Sequence, residues 1–69
     1  MDRKSSSISY YASFITVTAI QDSGSDALVE SIEIDGEFLE LEEGDVPHGK
    51  TLDEAINNGL RKATSAVDY

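Results

Sequence analysis

Hydrophobic and polar positions follow a two-residue period over much of the first two thirds of the chain, which is typical of β-strands. Residues 8–20, ISYYASFITVTAI, are rich in β-branched and aromatic residues and contain no glycine or proline, so we predict one long strand there. Both faces of this strand carry apolar side chains, one with Tyr10, Ala12, Phe14, Thr16 and Thr18 and the other with Tyr11, Ser13, Ile15, Val17 and Ala19. We expect a helix to cover one face and a second copy of the chain, in a homodimer, to cover the other.

Two turns are predicted in the middle of the chain. Residues 21–27, QDSGSDA, have the composition of a turn that leads into a second strand. The second and third strands meet at Asp35–Gly36, which favours a two-residue type I′ turn because both central positions need a positive φ. The turn predicts the register of the hairpin, whose pairs are Ile34 with Glu37, Glu33 with Phe38, Ile32 with Leu39, Ser31 with Glu40, and Glu30 with Leu41.

The last third of the chain has a helical period. In residues 51–67, TLDEAINNGLRKATSAV, apolar or small residues recur at Leu52, Ala55, Ile56, Gly59, Leu60, Ala63 and Val67. Thr51 and Glu54 are spaced as a capping box, which predicts a helix start. Gly59 is explained either by a close approach of the helix to the sheet or by an early end of the helix at this residue. Because the stripe continues to Val67, we expect the close approach.

Together these elements predict an α+β fold, in which a three-stranded antiparallel β-meander is followed by one C-terminal α-helix packed on the sheet. We expect residues 8–69 to form a single small β-β-β-α domain, because a chain of 69 residues is long enough for only one core. Residues 1–7, MDRKSSS, are polar and charged, so we expect them to be a disordered tail.

The composition excludes several kinds of site. The chain has no cysteine and one histidine, which excludes disulfides and argues against a zinc site. Asp22 and Asp26 flank Gly24, but a calcium loop needs more oxygen ligands, so we interpret this segment as a plain turn and expect no metal or cofactor. The sequence has neither the apolar run of a signal peptide nor that of a membrane span, and we expect a soluble, cytoplasmic protein.

His48 is the only conventional general base near neutral pH, and serine and threonine residues are plentiful. However, neither a nucleophile-elbow motif nor a glycine-rich oxyanion loop accompanies it. A small sheet with one helix also offers little cleft for a pair of catalytic carboxylates. We therefore predict that the protein is not an enzyme.

Charge is the most unusual property of the chain. The net charge is −9, and the segment between Lys4 and Lys50 holds ten acidic residues without any lysine or arginine. Such a field repels nucleic acid and membrane phosphates and attracts basic protein surfaces. The acids concentrate around one aromatic residue in the predicted hairpin. We predict that the partner-binding residues are Glu33, Asp35, Glu37, Phe38, Glu40, Glu42 and Glu43.

Three interpretations of this acidic hairpin are open. Exposed carboxylates keep a small domain soluble, and abundant Asp and Glu also suit a salt-adapted organism; either would make this a generic acidic domain without a charged partner. The third is a mimic of DNA, because same-face residues recur every ~6.6 Å along a strand and could occupy a basic groove. Since like charges destabilise a sheet and a basic partner would offset them, our leading hypothesis is a non-catalytic inhibitor or regulator of a basic, nucleic-acid-binding protein.

In size and composition the chain resembles the small acidic inhibitors that phages make against host nucleic-acid enzymes, such as uracil-DNA glycosylase inhibitors, anti-restriction proteins and anti-CRISPR proteins. Residues 49–63, GKTLDEAINNGLRKA, are similar to the strand-to-helix segment of HicB-type antitoxins and of a small phage inhibitor of host RNA polymerase. The PDLPG stretch usual in HicB-type domains is missing, and no functional residue is carried over. The resemblance implies a β-meander with a C-terminal helix and a protein-binding, anti-defence role.

Overall fold

Residues 1–68, which the computed structural model describes, form five β-strands and then one α-helix. These are β1 (Asp2–Tyr10), β2 (Ser13–Gln21), β3 (Ala27–Ile34), β4 (Glu37–Phe38), β5 (His48–Gly49) and α1 (Leu52–Asp68). The strands form one antiparallel sheet in the order β1-β2-β3-β4, and β5 pairs with β3 as well. The α+β class and the single C-terminal helix are confirmed, but the sheet of the described residues has five strands rather than three.

The first hairpin differs from the prediction. β1 and β2 pair without interruption from Asp2–Gln21 to Tyr10–Ser13, around a two-residue turn at Tyr11–Ala12. The prediction of a single strand over residues 8–20 is therefore wrong, because that segment contains a turn. Residues 2–7, expected in a disordered tail, belong to β1.

Pairing with β2 explains why this serine-rich segment is a strand. Its backbone joins the sheet along the whole length of β2, and two of its serine hydroxyls hydrogen-bond across the strands. Ser5 Oγ lies 2.8 Å from Thr18 Oγ1, and Ser7 Oγ lies 2.8 Å from Thr16 Oγ1. Cross-strand hydroxyl pairs stabilise a sheet, so polar residues with little apolar surface of their own are ordered by their neighbour.

The second hairpin has the predicted turn. Asp35 and Gly36 both have positive φ, at 52° and 86°, as a type I′ turn requires. The predicted pairs Ile34–Glu37 and Glu33–Phe38 are present. The Leu39 amide also donates to the Ile32 carbonyl at 2.8 Å, which extends the predicted register by one residue.

Beyond Leu39 the predicted register is wrong. β4 ends at Phe38, and residues 39–47 leave the sheet as a loop before β5 begins. The beginning of β3 pairs with β5 instead, and the Val29 amide donates to the Pro47 carbonyl at 2.9 Å. β5 and Pro47 thus pair with residues 27–29 of β3 and β4 pairs with its other end, so the edge of β3 is shared between two short segments, and the chain between them leaves the sheet.

α1 covers one face of the sheet, and the core lies between them. The apolar residues of this core that are fully or almost fully buried are Ile15, Val17, Ala19, Ala27, Val29, Ile32, Ala55, Ile56 and Ala63. The face of β2 that carries Ile15, Val17 and Ala19 is thus the one under the helix. The Thr51 hydroxyl accepts a hydrogen bond from the Glu54 amide at 3.1 Å, which is one of the two bonds of the predicted capping box.

Gly59 marks the closest approach of helix to sheet. A Cβ at this position would lie 2.8 Å from Val17 Cγ1 and 3.0 Å from Val29 Cγ2, which is closer than packed carbon atoms come. The close approach expected for Gly59 is confirmed, and the early helix end is excluded because α1 continues to Asp68.

The other face of the sheet, which we call the open face, has no helix over it. The β1–β2 register places Ser5, Ser7 and Ser9 on this face, beside Thr18, Thr16 and Phe14. Phe14 and Leu28 remain about half exposed, at 55% and 47%. Residues 1–68 thus form one layer of sheet and one layer of helix, with a largely hydroxyl-lined outer surface.

Candidate functional site: the acidic edge

The acidic residues concentrate at the edge of the sheet farthest from β1. We call residues 33–45 the acidic edge; they comprise the end of β3, the Asp35–Gly36 turn, β4 and most of the following loop. Seven carboxylates lie here, on Glu33, Asp35, Glu37, Glu40, Glu42, Glu43 and Asp45. All of these residues are exposed except Glu33, which is half-buried.

The predicted site residues do not share one face. Glu33 and Phe38 are directly opposed across β3 and β4 and lie on the open face, next to Thr16 on β2. Glu37 pairs with Ile34 and therefore lies on the opposite side of β4. Glu40, Glu42 and Glu43 follow β4 in the loop, so the regular strand spacing expected for Glu40 and Glu42 is absent.

The loop is nevertheless tied to the rest of the molecule. Leu39 and Leu41 pack against the core, and the Asp45 amide donates to the Glu42 carbonyl at 3.0 Å in a turn. Lys62 Nζ on α1 donates to Asp45 Oδ2 at 2.7 Å. These contacts fix both ends of the segment that carries the three loop glutamates.

Most carboxylates of the acidic edge have no cationic partner among residues 1–68. Within residues 1–68 there are three ion pairs, which are Arg3–Glu30, Lys4–Asp53 and Lys62–Asp45. In the same part of the chain Glu33, Glu37, Glu40, Glu42 and Glu43 take part in no ion pair and no side-chain hydrogen bond. The negative field at this edge is therefore not neutralised by the described residues.

Asp35 has a structural role in addition to its charge. Its carboxylate Oδ1 accepts the Phe14 amide at 2.9 Å, and its own amide donates to the Phe14 carbonyl at 2.9 Å. Both bonds join the β3–β4 turn to the start of β2. Asp35 thus stabilises the hairpin that carries the acidic edge.

Phe38 is the apolar feature of this edge, with 74% of its surface exposed. It borders a shallow cavity of about 320 Å³ between the β3–β4 hairpin and α1, which we call the hairpin–helix groove. The groove is lined by Ile34, Asp35, Glu37, Phe38, Leu39 and Ala66. The lining combines apolar residues with two acidic ones, Asp35 and Glu37, a combination that suits the methylene chain and cationic head of a lysine or arginine.

Neither Leu39 nor Ala66 is among the predicted site residues. The alternation of the hairpin assigns Leu39 to the core, and Ala66 lies off the apolar stripe of α1. They become neighbours because the hairpin packs beside the last turns of the helix. The alternation of the strand and the spacing of the helix do not predict where these two elements meet.

Two other groups of chemical interest lie outside the acidic edge. His48, in β5, is exposed, and its ring Nδ1 lies 3.4 Å from the Val46 carbonyl oxygen. The Tyr10 hydroxyl donates to both carboxylate oxygens of Asp68 at 2.9 Å, and this hydrogen bond raises the pKa of the Tyr10 phenol above its usual value of 10.0.

The described residues show neither a metal site nor a helix that could span a membrane. Among residues 1–68, no group of three or more His, Cys, Asp or Glu side chains is arranged to hold a metal ion. α1 is too short and too polar to cross a bilayer, and it is the only helix in the described part of the chain. No family model, no curated sequence and no solved structure matches this chain.

Proposed function

We propose that the protein is a non-catalytic binding domain, an inhibitor or regulator whose acidic edge engages a basic surface of another protein. The observation that carries this proposal is an exposed Phe38 ring on an edge that holds five glutamates, none of which has a cationic partner among residues 1–68. An aromatic anchor surrounded by charges that complement the partner is a common composition for an interface hot spot and its rim.

The energetics of the acidic edge support a binding role. Seven carboxylates within thirteen residues repel one another, and the described residues neutralise one of them through the Lys62–Asp45 pair. A domain of this size has a small free energy of unfolding, so uncompensated repulsion is costly. A cationic partner would remove that repulsion on binding. The same carboxylates would then contribute electrostatic attraction to the free energy of the complex.

We further propose that the partner's basic surface is one that otherwise binds nucleic acid. Clustered carboxylates and the phosphates of DNA attract the same lysine and arginine side chains. The acidic edge would compete through charge density and through Phe38, and not through carboxylates spaced along a strand, because Glu40, Glu42 and Glu43 lie in a loop.

A capture experiment tests the proposal. The immobilised protein should retain basic nucleic-acid-binding proteins from a lysate at low salt, and both moderate salt and added duplex DNA should release them. Charge reversal by Glu40→Lys with Glu42→Lys should weaken a purified complex by about tenfold, by slowing association and increasing dissociation. Phe38→Ser should also weaken it about tenfold, mainly through faster dissociation, as expected for an anchor residue.

The control is a charge reversal elsewhere on the surface. Asp22→Lys with Asp26→Lys changes the net charge equally, and both residues are exposed in the turn between β2 and β3. This variant should bind nearly as well as the wild type. Equal weakening by both double variants, or no basic protein retained at all, would leave only the generic acidic domain.

A further inference from the structure

The outer strand β1 is an unprotected edge of the sheet. Among residues 1–68 it pairs with β2 on one side only, it runs for nine residues, and its register with β2 has no bulge. It contains no proline or glycine. Natural edge strands are usually short, bulged, proline-containing or charged, because a long regular edge offers hydrogen bonds to any further strand.

The backbone groups that β1 presents outward can be assigned. Because the Tyr11–Ala12 turn has two residues, Tyr10 and Ser13 exchange hydrogen bonds, and the antiparallel pattern then alternates along the strand. The groups that point toward β2 are those of Asp2, Lys4, Ser6, Ile8 and Tyr10. The N–H and C=O groups that point away from the sheet are those of Arg3, Ser5, Ser7 and Ser9.

The cationic residues of β1 do not protect this edge. Arg3 Nη2 donates to Glu30 Oε2 at 2.9 Å, and Lys4 Nζ is bonded to Asp53 on α1. Both cationic side chains are therefore directed back onto their own molecule and neutralised there. The remainder of the edge is formed mainly by serines, whose small side chains allow another strand to approach.

We propose that two copies of this chain associate by antiparallel pairing of β1 with β1, around a two-fold axis at Ser6. In this register the hydrogen-bonded pairs are Arg3 with Ser9 and Ser5 with Ser7, and the intervening pairs are Asp2 with Tyr10, Lys4 with Ile8 and Ser6 with Ser6. All nine residues of the strand are paired, every outward backbone group finds a partner, and no like charges are opposed.

The strand order makes this association compatible with the net charge of −9. Joining the two β1 strands gives one continuous sheet in which the β4 strands are seven strand spacings apart, about 34 Å at 4.8 Å each. That is several times the screening length of about 8 Å at physiological ionic strength. The two acidic edges therefore lie at opposite ends of the dimer and remain available for binding.

The alternative dimer, with the open faces stacked, is disfavoured by the same structure. It would bury the Ser5–Thr18 and Ser7–Thr16 hydroxyl pairs and the Glu33 carboxylate of each copy, which lies on the same face. Burying polar groups and like charges costs free energy that edge pairing avoids. The expected homodimer therefore changes from a face contact to an edge contact.

Amide hydrogen exchange measured by NMR on the wild-type protein tests the register directly. The amides of Lys4, Ser6 and Ile8 should be protected at all concentrations, because they bond to β2. The amides of Ser5, Ser7 and Ser9 should exchange freely in dilute solution and should slow by about tenfold or more as the concentration rises from micromolar to millimolar. Sedimentation equilibrium over the same range should show a monomer–dimer equilibrium.

Two substitutions at one position separate backbone pairing from side-chain effects. Ser7→Pro removes an outward N–H, which an edge strand tolerates, and should raise the dissociation constant of the dimer by about tenfold or more. Ser7→Ala loses the same hydroxyl contact to Thr16 but keeps the N–H, and it should leave the dissociation constant nearly unchanged.

Several results would overturn the proposal. These are a strict monomer at millimolar concentration, a dimer in which Ser5, Ser7 and Ser9 still exchange freely, and a folded Ser7→Pro variant that dimerises as well as Ser7→Ala. A dimer weakened by Phe14→Thr but not by Ser7→Pro would assign the contact to the open face. The exchange measurement needs no variant, so it decides the question even if Ser7→Pro does not fold.

Discussion

At the centre of β2 the two faces of the sheet carry side chains of nearly the same shape in opposite environments. Along β2, Val17 lies under α1 without any exposed surface, while Thr16 and Thr18 on the open face bond to serine hydroxyls of β1. Valine and threonine differ by a methyl group and a hydroxyl. The comparison shows that polarity, more than volume, decides which face of this small sheet the helix covers.

The largest effect on stability should come from a polar substitution at the centre of the face that α1 covers. Val17→Thr places a hydroxyl among buried apolar groups, where burial without a full hydrogen-bond partner costs about 2 kcal/mol. We expect the free energy of unfolding, measured by urea denaturation, to fall by that amount. A change below about 0.5 kcal/mol would mean that water reaches the layer between helix and sheet.

A smaller loss should follow when the helix is pushed away from the covered face. Gly59→Ala introduces a Cβ at 2.8 Å from Val17 Cγ1, and overpacking of this kind costs about 1–3 kcal/mol. The gain in helix propensity, about 1 kcal/mol, offsets part of that cost. We expect a net destabilisation of about 1 kcal/mol by urea denaturation.

The control for Gly59→Ala lies on the exposed side of the same helix. Asn57→Ala gives α1 a better helix former without any new contact to the sheet, so it should stabilise the protein by a few tenths of a kcal/mol. If both variants were stabilising, the close approach at Gly59 would not constrain the packing.

A still smaller effect is expected at the margin of the covered face, where Tyr10 bonds to Asp68. The hydrogen bond from the Tyr10 hydroxyl raises the pKa of this phenol, so the phenol in the folded state ionises at higher pH than in the unfolded state. The stabilisation is fully present below about pH 10 and is lost as the pH rises through the raised pKa.

Thermal denaturation between about pH 8 and 11 measures this effect. Tyr10→Phe should have a lower Tm than the wild type at pH 8, and the difference should shrink as the pH rises and the wild-type bond is lost. A difference that stays constant across this range would show that the lost contact is apolar and does not depend on the phenol proton.

The smallest effect on stability should come from the opposite substitution, threonine to valine, on the open face. Thr16→Val removes the partner of the Ser7 hydroxyl, but Ser7 is exposed and water can replace the bond. Valine also suits a strand, so the free energy of unfolding should change by no more than about 0.5 kcal/mol. A loss as large as that of Val17→Thr would remove the distinction between the two faces.

The comparison also explains which parts of the fold the sequence predicts. The apolar stripe of α1 and the Asp35–Gly36 turn are confirmed because each depends on local chemistry, namely helical spacing and a dipeptide that accepts positive φ. The Tyr11–Ala12 turn is missed because neither residue is typical of a turn. Tyr11 has a φ of 53°, which is uncommon outside glycine, asparagine and aspartate.

The acidic edge is predicted in part for a similar reason. The turn sets the pairs nearest to it, but it carries no information about β5, which takes the other half of β3 through contacts such as Leu28 with His48. Similarly, the strand character of residues 2–7 arises from pairing with β2. Alternation and propensity describe single segments, so they do not predict which of two segments pairs with a given strand.

The order of elements along the chain has a consequence for synthesis. β1 with β2 and β3 with β4 are joined by two-residue turns, and hairpins of this kind close within microseconds. α1 comes after every strand, and at ribosomal speed its 17 residues take on the order of one to three seconds to make. The first hairpin, β1 with β2, can therefore pair while α1 is still being made, and its apolar side then has no helix to cover it.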